Sequence, residues 1–222
     1  LGIFGQRSHE KRLPAPVFAL PDEQVALLLR HLWATDGSIH VRNHGRGGDR
    51  VHFATCSEQL ARDVAALLLR LGIVGRIRAV AQRGARMLYS VDVSGAGQQR
   101  IFLARVGAFG PRAPQAAALA ARLQHRASGT NVDTLPGECF AEVRRVMRAK
   151  GVTTRGMAAL RGTAYGGASH FGFAPSRSTV GSYAEFLDSD ELRQWAESDL
   201  FWDRVVSIVP RGEEEVFDLT VP

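Results

Sequence analysis

Asp36 is the residue most suited to chemistry, because of what stands on either side of it. The mainly apolar stretch 28–34 predicts a helix that runs directly into this carboxylate, and Gly37 follows. An acid at a helix C-terminus faces the negative end of the helix dipole, which disfavours it. A bound divalent cation would offset that repulsion, and Mg²⁺ prefers oxygen ligands of this kind. The pattern therefore indicates a metal-binding acid at a helix end.

The pair Asp36 and Gly37 also has a purely structural interpretation. Asp-Gly is a common signal for the turn of a β-hairpin. The two residues alone favour the turn, so the choice between a turn acid and a metal ligand depends on the flanking sequence.

The sequence after Gly37 predicts the elements that would hold Asp36 in place. Two alternating runs, 38–42 and 51–55, flank a glycine-rich stretch and predict a β-hairpin. Ser57 is a suitable N-cap for the next helix, and Gly72 is a suitable end for it. A second hairpin and a closing helix are predicted at 74–80, 87–93 and 98–106. The result is an α+β unit, αββαββα, whose antiparallel sheet carries helices on one face.

Basic side chains recur on the first predicted hairpin. His40, Arg42, Arg50 and His52 occupy alternating positions there, so we expect one face to be polar while the other packs on helices. Such a face can read bases in the major groove of DNA. The alternative is an exposed polar sheet face without a ligand.

The overall charge favours a polyanionic partner. The 222 residues contain 28 Lys and Arg against 22 Asp and Glu, which gives a net charge of +6. Nucleic acid is the natural partner for such a surface. An ordinary basic domain with a solvated surface is the alternative.

Two further features limit the class of protein. No apolar run approaches the roughly 20 residues needed to span a bilayer, and the first residues are unlike a signal peptide. Cys56 and Cys139 have no cysteine or histidine at metal-binding spacing, so we expect reduced thiols. These features predict a cytoplasmic protein without a membrane partner.

Several segments together resemble a known family. Residues 29–37 resemble the signature nonapeptide of the LAGLIDADG homing endonucleases, in which an apolar helix ends in a metal-binding acid and glycine. Residues 2–14 and 67–73 resemble two blocks of inteins that carry such an endonuclease. Residues 199–208 and 214–222 resemble the first two strands of the C-terminal splicing block of inteins. The order is similar to that of inteins lodged in bacterial replicative DNA helicases.

The resemblance implies roles for individual residues. Asp36 falls on the catalytic acid of the family, and its carboxylate and the Gly37 carbonyl would face Mg²⁺. The family often places a basic or glutamine side chain near the attacking water, and Arg76, Arg78 and Gln82 are the candidates here. For any one of these three, phosphate contact or plain solvation is the alternative. Two nearby residues receive structural predictions, a core position for Trp33 and a local charge partner for Asp92.

The resemblance also implies partners. The substrate would be double-stranded DNA from an allele of the host gene that lacks the intein. Since the chain contains one signature, we expect the other endonuclease half upstream of Leu1, or pairing with a second copy. Leu1 is no splicing nucleophile and no His-Asn pair precedes Pro222, so we expect this segment not to splice alone.

Three regions are predicted along the chain. Residues 1–127 would form the endonuclease half, 128–198 a helical unit, and 199–222 the first strands of the splicing block. Within the helical unit, helices are predicted at 138–150, 152–160, 176–187 and 190–197.

The helix, glycine turn and capped helix around Gly151 resemble the start of a helix-turn-helix module. In that case its polar positions would contact DNA, namely Ser169, His170, Ser176, Arg177 and Ser178. A simple helical spacer is the alternative.

Three functions from different classes remain open. The favoured one is the endonuclease-bearing part of an intein. The others are a catalytically inactive DNA-binding relic and a structural fragment with neither activity.

Overall fold

The structure, a computed structural model, describes residues 4–42, 48–126, 132–210 and 212–216. The chain divides into two compact units, Leu1–Asp133 and Thr134–Pro222. The division lies six residues beyond the predicted boundary at residue 127, and the predicted third region belongs to the second unit.

The first unit has the predicted order αββαββα, followed by one further helix. Its elements are α1 (Asp22–Thr35), β1 (Gly37–His40), β2 (Arg50–Thr55), α2 (Glu58–Arg70), β3 (Gly75–Val80), β4 (Leu88–Val93), α3 (Ala96–Arg105) and α4 (Ala113–Leu123). The four strands form one antiparallel sheet in the order β1-β2-β4-β3. The α+β prediction is therefore confirmed.

The ends of α2 show how local sequence sets the elements. The Ser57 hydroxyl accepts a hydrogen bond from the Leu60 N–H at 3.1 Å and caps the helix, as predicted. Gly72 takes φ +70°, which lets the Ile73 N–H reach back to the Leu68 carbonyl at 2.9 Å and close the helix.

One face of the sheet is covered and the other is open. Ile39, Phe53 and Val91 point toward α1 and α2 and are almost completely buried. Trp33 lies at the centre of this core with no solvent exposure, 4.8 Å from the ring of Phe102. Its predicted core position is confirmed. The opposite face, called the open face below, carries the polar residues of the strands.

The second unit is helical. Its helices are α5 (Cys139–Ala149), α6 (Thr154–Leu160), α7 (Arg177–Leu187) and α8 (Asp190–Glu197). These bounds agree with the four predicted helices to within two residues. Phe140, Val143 and Met147 from α5 pack with Tyr183 from α7 in a core of its own.

The predicted strands after residue 198 are not found. Residues 199–210 and 212–216 form no strand, and 217–222 lie outside the described residues. A strand requires a neighbouring strand for its backbone hydrogen bonds, and none lies beside this segment within the described part of the chain. The Trp202 ring instead stacks on Trp195 of α8 at 5.8 Å.

Among the described residues, no helix is both long and apolar enough to cross a membrane.

A buried hydrogen-bond chain links three elements of the second unit. Arg161 donates to the Tyr183 hydroxyl at 2.9 Å, and that hydroxyl lies 3.0 Å from Nε2 of His170. Burial, and secondly the charge of Arg161, lower the pKa of His170 from its ordinary value. The arrangement suits a neutral imidazole that accepts a hydrogen bond from Tyr183.

This chain predicts acid sensitivity of the second unit. Because the folded-state pKa of His170 lies below 6.5, protonation favours the unfolded state, and stability is lost as the pH falls below 6.5. Urea unfolding at pH 7.5 and 5.5 measures this, with His170→Gln as control. The midpoint should fall more in the native chain than in the variant, and equal falls would contradict the assignment.

Candidate active site and nucleic-acid interface

Asp36 ends α1 and starts the turn into β1. Its backbone N–H donates to the Leu32 carbonyl at 3.0 Å, and its carboxylate accepts a hydrogen bond from the Thr35 hydroxyl at 3.3 Å. The side chain is exposed, and no arginine or lysine among the described residues forms an ion pair with it. An exposed carboxylate without a cationic partner is a suitable oxygen ligand for a hard cation.

Asp36 does not form a complete metal site alone. Within the part of the chain that the structure describes, no three His, Cys, Asp or Glu side chains lie close enough together to hold a metal ion. A cation at Asp36 would therefore need ligands beyond the described His, Cys, Asp and Glu side chains.

Position 37 requires glycine because the start of β1 lies very close to α1. A Cβ at this position would lie 2.5 Å from the Cα and ring atoms of Trp33. Since real Cβ contacts are longer, glycine allows β1 to leave the helix end directly against the indole. The Asp-Gly pair is thus a helix end packed on a core tryptophan.

The side chain of Arg112 is hydrogen-bonded to the Gly37 carbonyl, which the sequence suggested as a metal ligand. Its Nε donates to the Gly37 carbonyl oxygen at 3.0 Å. A guanidinium at that oxygen disfavours a second cation there, because the two positive charges repel. The Asp36 carboxylate therefore remains the better candidate metal ligand of the two.

The strand register places the predicted DNA-binding residues on the open face. His52 pairs with Ser38 on one side and Asp92 on the other, and Asp92 pairs with Arg76. His40 pairs with Arg50, so both share this face. Arg42 lies just beyond the end of β1.

Arg76, Arg78 and Gln82 lie at the opposite edge of the sheet from Asp36. The Ala54 N–H donates to the Asp36 carbonyl, so Asp36 is in line with Ala54, Ser90 and Arg78. Three strand spacings of ~4.8 Å separate the two ends of this row, about 14 Å. Gln82 lies beyond the end of β3, in the following turn. This separation favours DNA contact over action on a water at Asp36.

Asp92 holds two arginines of the open face. Its carboxylate is 6% exposed and lies 2.7 Å from Nη2 of Arg50 and 3.5 Å from Nε of Arg78. The Ser90 hydroxyl donates to it at 3.2 Å. The interpretation of Asp92 as a charge partner agrees with these contacts.

His52 lies beside this cluster. Burial, and secondly the charge of Arg50, lower the pKa of His52, so the ring is neutral at pH 7. Its Nδ1 is buried without a hydrogen-bond partner among the described residues.

Asp49 holds a second pair of arginines. Its side chain is 2% exposed and accepts from Nη1 of Arg122 at 2.9 Å and Nη1 of Arg126 at 3.3 Å. The backbone N–H of Arg42 donates to the same carboxylate at 2.9 Å. The contact with Arg122 joins residues 73 positions apart in the chain.

The polar residues suggested for the helical unit are mostly engaged inside it. His170 and Ser176 are buried, and Ser176 caps α7 by accepting from the Thr179 N–H. Arg177 donates to the Ser198 and Leu200 carbonyls just after α8. Ser169 donates to the Gly166 carbonyl at 2.7 Å, and the Ser178 hydroxyl lies 2.9 Å from that of Ser176. These internal contacts give no support to a DNA-reading face made of the five residues.

The first unit also matches a known family over most of its elements. The match is to the LAGLIDADG-like domain and covers residues 23–107, from the first turn of α1 to just past α3. Residues 23–107 form a LAGLIDADG-like domain. The family resemblance predicted from the signature and its flanks is confirmed, and Asp36 stands at the end of the first helix of the domain.

The whole chain is similar to parts of much longer proteins. It is 47% identical to the replicative DNA helicase DnaB of Rhodothermus marinus over 100% of this chain and 24% of that protein. It is 38% identical to the replicative DNA helicase DnaB of Synechocystis, over 100% of this chain and 26% of that protein. Protein RecA of Mycobacterium tuberculosis is 29% identical over 99% of this chain and 30% of its own length. The chain thus spans about a quarter of the helicases it matches.

Four residues with a role in this region could not be identified from the sequence, namely Arg112, Arg122, Arg126 and Asp49. Each acts through a partner more than 70 positions away in the chain. Local periodicity carries no signal for such contacts.

The packing at the helix end predicts a cost for any larger residue at Gly37. Gly37→Ala should lower the free energy of unfolding by about 1–3 kcal/mol, since the new methyl overlaps Trp33. Urea unfolding measures the change. Gly48→Ala is the control, because its Cβ meets nothing nearer than 3.9 Å. Equal stability of the native chain and Gly37→Ala would contradict the packing argument.

Proposed function

We propose that this chain is the endonuclease-bearing part of an intein and that it binds and cuts double-stranded DNA with a second LAGLIDADG half. The observation that carries the proposal is the position of Asp36. An exposed carboxylate ends the first helix of a LAGLIDADG-like domain, on the same side of the sheet as a row of arginines and histidines.

The relatives support an inserted segment. The same chain is similar to a quarter of a replicative helicase and to less than a third of a RecA protein. A mobile segment carried by different host proteins produces such partial matches.

The open face supplies DNA contact. A sheet surface of this kind fits the major groove, and Arg50, Arg76 and Arg78 provide positive charge toward the phosphates. His40 and His52 lie among them, and neutral His52 can offer a hydrogen bond to a base.

Asp36 would supply one carboxylate ligand for Mg²⁺. A Mg²⁺ ion held there would supply a nucleophilic water and stabilise the leaving oxygen of the phosphodiester. The chain's own contribution is to hold Asp36 at a rigid helix end, where its N–H bonds to the Leu32 carbonyl and the Trp33–Gly37 packing fixes the following residue.

A second acid must come from elsewhere. The described residues hold no cluster that completes a metal site, so we propose that another half in the same polypeptide, or a second copy of this chain, brings it. That dependence also favours one further candidate, a DNA-binding remnant in which the second acid is missing.

The test uses the longer polypeptide that carries this chain and a plasmid with the helicase gene free of the inserted segment. With Mg²⁺ we expect cleavage at one site, and with EDTA or in Asp36→Asn we expect cleavage to fall to background, because the metal has lost a ligand. The products are resolved on an agarose gel.

Glu23→Gln is the matched control, since it removes an exposed acid from the other end of the same helix. Its cleavage should equal that of the native protein. If the native protein binds the plasmid without cutting it, the remnant is the correct assignment, and cleavage that survives Asp36→Asn would overturn the role of Asp36.

A further inference from the structure

A cleft on the open side of the first unit is lined by charged residues that the metal site does not use. Its volume is about 340 Å³, and its charged lining residues are Arg42, Arg50, Arg78, Arg126, Asp49 and Asp92. Four arginines against two aspartates leave the cleft positive. Gly95 and Ala96 at the start of α3 form another part of its wall, and the positive end of that helix dipole has the same sign.

The two aspartates and the arginines differ sharply in exposure. The Asp49 and Asp92 side chains are 2% and 6% exposed. The arginines they hold, Arg126, Arg50 and Arg78, are 51%, 51% and 61% exposed. The carboxylates therefore lie beneath the arginines, and an approaching ligand meets guanidinium groups first.

This arrangement prepares the arginines for a phosphate. A guanidinium has five N–H donors in a planar fork, and a carboxylate that takes one or two of them leaves others directed to solvent. Holding the fork in place also removes side-chain entropy that binding would otherwise cost. An unheld arginine on a sheet surface has no such preparation.

We infer that Asp49 and Asp92 are positioning residues and that the cleft between them binds a backbone phosphate of duplex DNA. The inference rests on the proposed DNA binding and deepens it by naming the phosphate anchor. Removing a negative charge from a DNA-facing surface ordinarily strengthens binding, whereas here removing Asp92 or Asp49 weakens it.

The test measures the affinity of the 222-residue chain for a duplex of arbitrary sequence, since backbone contacts do not depend on sequence. Asp92→Asn and Asp49→Asn should each bind about tenfold more weakly, as expected for losing one charge-assisted hydrogen bond. The slope of log affinity against log salt should become shallower by about 0.9, the value for one lost phosphate contact.

Glu58→Gln is the matched control. Glu58 holds Arg62 at 2.7 Å on α2, in the helix layer that covers the opposite face of the sheet. Its removal should leave the affinity and the salt slope unchanged.

Two double-mutant cycles separate positioning from general destabilisation. Arg78→Gln should weaken binding in the native chain but change little in the Asp92→Asn background, and Arg126→Gln should behave likewise with Asp49→Asn.

Circular dichroism establishes that each variant is folded. If an aspartate variant is not folded, the single arginine variants decide, because each should lose about 0.9 of the salt slope while Arg62→Gln loses none.

Outcomes against the inference are distinct from failure of the proposed function. A native chain that binds no DNA overturns the proposed function. A native chain that binds, while the aspartate variants bind equally or more tightly, overturns the inference alone. Thermal stabilisation by inorganic phosphate without any effect of these variants on DNA affinity would assign the cleft to a free anion and also contradict the inference.

Discussion

The contact between Trp33 and Gly37 is the constraint on which the first unit depends. The fully buried indole leaves no room for a side chain on Gly37, so α1 and β1 meet at one fixed angle. The turn between them contains one residue, Asp36, whose side chain is exposed while the following Gly37 is buried against the indole. The same packing that builds the hydrophobic core therefore fixes the position of the carboxylate.

Electrostatics organises the open face in a similar way. Two buried carboxylates would be costly without partners, and each recruits arginines from distant parts of the chain. Asp92 lies inside the sheet and holds neighbours from β2 and β3, whereas Asp49 precedes β2 and holds side chains from α4 and the residues after it. The arginines of the basic surface are thus held in place by ion pairs with these two buried carboxylates.

The local elements could be predicted from the sequence because their signals are local. The Ser57 cap, the Gly72 end and the apolar spacing of α2 all belong to one short stretch of sequence. Similar local signals predict the other elements, and together they predict the order αββαββα. The two strands that the resemblance implied after residue 198 are not found in residues 199–210 and 212–216, because a strand also needs a neighbouring strand to pair with. The roles of Asp49 and Arg112 could not be predicted, since their contacts close loops of more than 70 residues.

The central claim is that DNA lies against the open face of the sheet, on the side of Asp36 and the arginine cluster. Photo-crosslinking to duplex DNA tests it most directly, with benzoylphenylalanine in place of His40 on the open face or of Leu69 on the helix layer. The account predicts a DNA crosslink from position 40 and none from position 69. A crosslink from position 69, with none from position 40, would contradict it.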